Sequence, residues 1–178
     1  MLANPRQSCV ALLNPSRGRG KGTTEAFAVH AGESLSLLPI CRDVFGVTPL
    51  MAGEYLANLF SSEIERSVEY IGTDSLSLWR DYEFNERLAR SDVSVIFLGG
   101  AFLEEEVLIA ALEGVKRGYE VRLLADLVLA RREPDRPLVL GRLAHHGIVA
   151  TAMRHVLFEW AMCCGDPSTA RRIQQLLS

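Results

Sequence analysis

The chain has 178 residues, 48% hydrophobic and 23% charged, with a net charge of −3. That size and balance describe one compact soluble domain over 1–178 and exclude disordered, fibrous and disulfide-stapled classes. No basic excess is available for nucleic acid or an anionic membrane, and no apolar run reaches the roughly 18–20 residues that span a bilayer.

Ser8–Leu13 reads as a buried strand, stopped by Asn14-Pro15. A basic, glycine-rich loop follows, in which Gly18, Gly20 and Gly22 alternate with Arg17, Arg19 and Lys21. Its Gly20-Lys21 invites a phosphate-loop reading, but Pro15 stands where the first glycine is needed and Gly22 displaces the hydroxyl residue. A solvated basic loop accounts for it better. A helix is expected over Glu33–Phe45, with Pro39 near its start or at a kink, ended by Gly46. Val47–Met51 reads as a weaker strand, Glu54–Phe60 as helix and Val68–Ile71 as a short strand.

The second half is patterned more strongly. Tyr82–Arg90 is amphipathic, with Phe84 and Leu88 on one face. Val93–Leu98 is the best strand and ends at Gly99-Gly100. Glu104–Arg117 reads as helix, its three leading acids and closing Lys116-Arg117 matching the macrodipole. Tyr119–Leu124 is a strand closed by Ala125-Asp126, Pro137–His146 a helix, and Ile148–Ala150 a short strand. A last main helix runs through Trp160, and the tail 167–178 carries Ile173, Leu176 and Leu177 at helical spacing, suited to docking on its own domain or a neighbour. Alternating strands and helices predict a three-layer, doubly wound α/β fold with a mostly parallel sheet. Ligands in such sheets bind beyond the carboxyl ends of the strands.

Two glycines after the central strand allow a tight turn and close backbone approach, and a helix start there suits an anion. Equally, the glycines only shape the turn and the acids only complement the dipole. The four cysteines lack CxxC spacing. Cys9 and Cys41 read as small core residues, and neither the cysteines nor the histidines suggest a metal site.

The run from Ile96 to Val121 followed by Leu123–Asp126 resembles the central segment of the isochorismatase-like hydrolase superfamily. Gly100, Val107, Ala111, Gly118-Tyr119, Val121 and Asp126 keep its spacing, and Arg142-Leu143, Gly147 and Val156-Leu157 resemble its closing elements. The resemblance implies the same doubly wound fold and a cysteine nucleophile served by an aspartate and a lysine. Those three positions fall on Glu106, Asn14 and Thr73. With the thiolate and its base replaced, the implied protein has lost cysteine hydrolase activity and acts as a binding or structural protein. The alternative is an active hydrolase with rebuilt chemistry, Glu106 serving as general acid or base on a small isochorismate- or amide-like substrate. Trp79, Gly100, Phe102, Leu103 and Asp126 are the expected pocket residues, with Asp126 also suited to capping. No cofactor or metal is expected. A small-molecule ligand, a homo-oligomer and a cytoplasmic location are.

Overall fold

The computed structural model describes residues 2–18, 27–73 and 77–178. Six strands, β1 (Ser8–Leu13), β2 (Leu50–Ala52), β3 (Glu69–Ile71), β4 (Val95–Ala101), β5 (Glu120–Leu129) and β6 (Val149–Thr151), form one sheet in the order 3-2-1-4-5-6. Every neighbouring pair is parallel, and the central strands β1 and β4 are buried along their whole length. A parallel sheet needs cover on both faces, and the core is accordingly double. On one face lie α1 (Phe27–His30), α2 (Gly32–Leu35), α3 (Leu38–Phe45), α4 (Ser62–Ser67), α8 (Met153–Cys164) and α9 (Pro167–Leu176). On the other lie α5 (Tyr82–Ala89), α6 (Leu108–Lys116) and α7 (Arg136–His145). The doubly wound fold expected from the pattern is the one observed.

Several boundaries differ, each for a local reason. The helix expected over Glu33–Phe45 is two: the Ser36 hydroxyl turns back to the Glu33 carbonyl, and α3 starts at Leu38 with Pro39 in its first turn. Gly46 ends it in the left-handed region, φ 68°. The helix expected over Glu54–Phe60 reduces to a single turn at Ala57–Leu59. Tyr55 there stacks on both Phe60 and Tyr70, which holds the segment as loop. The helix of this region is α4, which the pattern missed, capped by the Ser61 hydroxyl.

The central strand does not stop before its glycines. β4 continues through Gly99-Gly100, which pair with Leu12 and Leu13 of β1. A Cβ at Gly100 would lie 2.0 Å from the Leu13 carbonyl oxygen, and φ is +114°. Only glycine lets the two backbones approach there. Asp126 does not close β5 but lies inside it: between Leu98 and Gly100 the ladder advances five residues on β5, from Leu123 to Val128. That bulge presses the Leu127 carbonyl towards Gly99. In the tail, Ile173 and Leu177 are buried in this chain's own core.

Replacing Gly100 by Ala should cost about 3 kcal/mol, lowering Tm by roughly 6–12 °C. Gly141→Ala, on an exposed helical position with nothing within 4 Å, should instead stabilise by up to about 1 kcal/mol. Thermal melts of the two variants check the contrast. At the start of α9, Asp166 accepts from the amides and hydroxyls of Ser168 and Thr169, which hold its carboxyl well below the usual range. This stabilisation is present above the ordinary Asp value, near pH 4, and fades as pH falls through the lower folded value. The Tm difference between wild type and Asp166→Ala should therefore shrink on acidification.

Candidate functional site

In this strand order, β1 and β4 are neighbours whose following chains leave towards opposite faces, so a crevice opens beyond their carboxyl ends. Asn14 terminates β1 with φ 45°, a conformation Asn tolerates better than most residues. Its side chain ties three strand ends together. Nδ2 donates to the Ala101 carbonyl at 3.2 Å and Oδ1 accepts from the Glu54 amide at 3.0 Å, while the Asn14 backbone N–H donates to the Ala52 carbonyl at 2.7 Å.

The chain then delivers Arg17 into the crevice. Its Nη2 lies 2.6 Å from Glu54 Oε1 and its Nη1 2.5 Å from Glu106 Oε1. The hydrogen bond that Arg17 donates to Glu54, with help from Glu106, raises the Arg17 pKa against the opposing effect of burial. Glu106 is only 6% exposed, and its Oε2 is buried with no hydrogen-bond partner among the described residues. One oxygen is thus committed to a cation while the other is an open acceptor.

The turn that carries Glu106 is not the helix start expected over Glu104–Arg117. Leu103–Val107 is a widened turn in which Glu105 departs from helical geometry, and regular helix begins at Leu108. The peptide between Ala101 and Phe102 is cis. The acids of the run are partnered from two directions. Glu104 accepts from the amides of Arg131 and Arg132, Glu105 pairs with the Arg131 guanidinium, and Glu106 meets Arg17. The hydrogen bond from Arg131 keeps the Glu105 carboxyl below the usual range. Arg131 also sits 4.1 Å above the buried Phe102 ring, with Arg17 6.0 Å from the same ring.

The structure thus joins Asn14 and Glu106 through Glu54 and Arg17, with Gly100 and Phe102 beside them. Thr73 stands just past β3 at the same end of the sheet, lining a cavity of about 590 Å3 with Ser16, Glu54, Tyr55 and Tyr70. Three other expected pocket residues work elsewhere. Trp79 packs under α6, its Nε1 donating to the Ala110 carbonyl at 2.8 Å while its ring stacks on Tyr119. Leu103 is buried in the core on the α6 face. Both Asp126 oxygens accept from the Met153 amide and cap α8 from a neighbouring strand. Arg17, Glu54 and Arg131 were not expected as site residues. The signal available was the run of three acids, which needs cations from outside its own turn. Of the phosphate-loop reading, residues 19–26 lie outside the described residues.

None of the four cysteines is at the site. Cys9 lies at the start of β1, opposite Ile96, Cys41 is buried in α3, and Cys163 and Cys164 are exposed at the end of α8. Burial pushes the Cys9 thiol up to about 12 and raises Cys41 as well. Among the described residues, no group of three His, Cys, Asp or Glu is placed to hold a metal ion.

No family model matches the sequence. Isochorismatase domain-containing protein 2 of Danio rerio is 23% identical over 172 residues, covering 95% of this chain and 86% of that protein. The YcaC gene product of Escherichia coli, described as an octameric hydrolase of unknown specificity, superposes with a TM-score of 0.74. It is 14% identical and covers 96% of this chain and 88% of its own. A cysteine hydrolase from Pseudomonas syringae pv. phaseolicola gives 0.75 at 14% identity, covering 92% and 96%. The fold is that of the isochorismatase-like hydrolases. No described helix is long and apolar enough to cross a membrane.

Removing Arg17 strands a buried carboxylate, so Arg17→Met should cost about 3 kcal/mol. The double variant with Glu106→Met should recover most of that loss. Glu54, whose side chain is 59% exposed, should matter far less, with Glu54→Gln costing about 1 kcal/mol or less. Chemical denaturation of the three variants beside wild type checks the ordering.

Proposed function

We propose that the chain is a divergent isochorismatase-like protein in which the covalent thiol route is gone and the crevice binds a small molecule. One observation carries the reading. Where the resemblance places the attacking cysteine, the structure has the buried Glu106, its Oε1 neutralised by Arg17 and its Oε2 unpaired among the described residues. A thioester cannot form without a thiol, and the cysteines are elsewhere. Asn14 cannot take up a proton, and both ends of its amide are engaged in holding strand ends. What remains is an acceptor in a low-dielectric recess, which favours a neutral ligand offering an N–H or O–H. Self-association belongs to the same reading: Leu138 and Met162 are large exposed apolar side chains, and the octameric YcaC protein shares the fold.

The second reading, a hydrolase using Glu106 directly, draws on the same open oxygen. It is the weaker one because the ion pair with Arg17 is made by the ionised carboxylate. That is a base, whereas cleavage of an isochorismate-type vinyl ether calls for a proton donor. The purified protein should show no turnover on isochorismate, nicotinamide or carbamoyl amides. A neutral amide from that panel should raise Tm, and Glu106→Gln should weaken the effect. Turnover abolished by Glu106→Gln would replace the binding reading with the enzymatic one.

A further inference from the structure

A second concave site lies at the opposite end of the sheet, where the strands begin. β1 separates the two ends by six residues, roughly 20 Å. Here the end of α3, which packs on one face, and the end of α5, which packs on the other, leave a groove of about 360 Å3 between them. Its apolar lining includes Phe45, Val47, Leu50 and the Cys9 side chain. Its charged lining is Arg6, Arg87 and Arg90, with no carboxylate among the lining residues.

The three arginines are not equivalent. Arg87 is held by Glu69 at 2.5 Å and Arg90 by Glu86 at 2.7 Å, both pairs partly exposed to solvent. The Arg6 guanidinium makes no hydrogen bond or ion pair among the described residues, its charge acting otherwise on the exposed Cys164 thiol. Three cations against two acids leave one positive charge uncompensated over an apolar floor. Arg87 also lowers the Cys9 thiol against the upward push of burial, so its field reaches that floor. Thr48 and Ser91 add hydroxyl groups along the lining.

We propose that this groove binds a small organic molecule carrying an oxyanion, a carboxylate or phosphate, on an apolar body. Guanidinium groups bind such planar or tetrahedral oxyanions through charge-assisted hydrogen bonds. The apolar lining accepts the body, and the volume lies in the range of small-molecule sites. A bare inorganic ion would leave that lining unused, and a neutral aromatic compound would leave Arg6 unpaired.

Calorimetric titration of the full chain with phenyl phosphate, phenylacetate, inorganic phosphate and benzyl alcohol tests this. At least one aryl anion should bind, more weakly as salt rises, and the tighter of the two identifies the headgroup. Inorganic phosphate should bind roughly tenfold more weakly than phenyl phosphate, and benzyl alcohol more weakly still. The double variant Arg6→Gln/Arg90→Gln, at solvent-exposed positions, should lose roughly tenfold or more in affinity with Tm unchanged. Glu106→Gln should leave binding intact. The proposal is overturned if neither aryl anion binds at millimolar concentration, if the double variant binds as wild type does, or if Glu106→Gln abolishes binding. Inorganic phosphate binding as tightly as phenyl phosphate would also overturn it, because the apolar lining would then play no part.

Discussion

A carboxylate buried at the end of a parallel sheet is stable only when a cation reaches it, since the desolvation cost is several kcal/mol. In this protein Arg17 meets that demand at Glu106, and its placement requires three strand ends to be locked together first. Asn14 provides the lock, bridging the ends of β1, β2 and β4 through its backbone and amide. The lock in turn depends on Gly100, where the backbones of β1 and β4 approach too closely for any side chain. Backbone geometry, one amide and one guanidinium therefore form a single chain of dependence, ending on a carboxylate with one open oxygen.

The same economy explains the widened turn at Leu103–Val107. A regular helix would direct three successive glutamates around one axis, with the dipole as their shared partner. Here the partners lie apart, Arg17 beyond β1 and Arg131 beyond β5, so the turn opens at Glu105 to reach them. The bulge in β5 belongs to this arrangement. It lengthens the strand past Asp126 so that Arg131 follows it directly, within reach of Glu104, Glu105 and the Phe102 face. Asp126 is thereby released to cap α8, a role that reaches across the fold rather than along the chain.

The order of buried and amphipathic segments was readable directly. Ser8–Leu13 and the core of β4 are continuous apolar runs, as two-sided burial requires, and the strand–helix alternation after Tyr82 leads to the doubly wound sheet. Asn14 and Glu106 were pointed to by the resemblance, and Gly100 by the glycine pair that follows a recognisable apolar strand; the structure brings all three to the switch point. Less legible was anything settled by a distant partner. Trp79 looked like a pocket aromatic until α6 covered it, with the Ala110 carbonyl taking its indole N–H. Arg17 looked like one charge in a solvated loop.

Local periodicity by itself determined the layers, the burial of the central strands and the helix stops, because these depend on residues three or four positions apart or on a single glycine's φ. Tertiary structure alone decided that Arg17 meets Glu54 and Glu106, separations of 37 and 89 residues, and that Asp126 serves Met153. Ion pairs and long-range caps are contacts between sheet ends, and no pattern along the chain encodes which charge another element will bring within 3 Å.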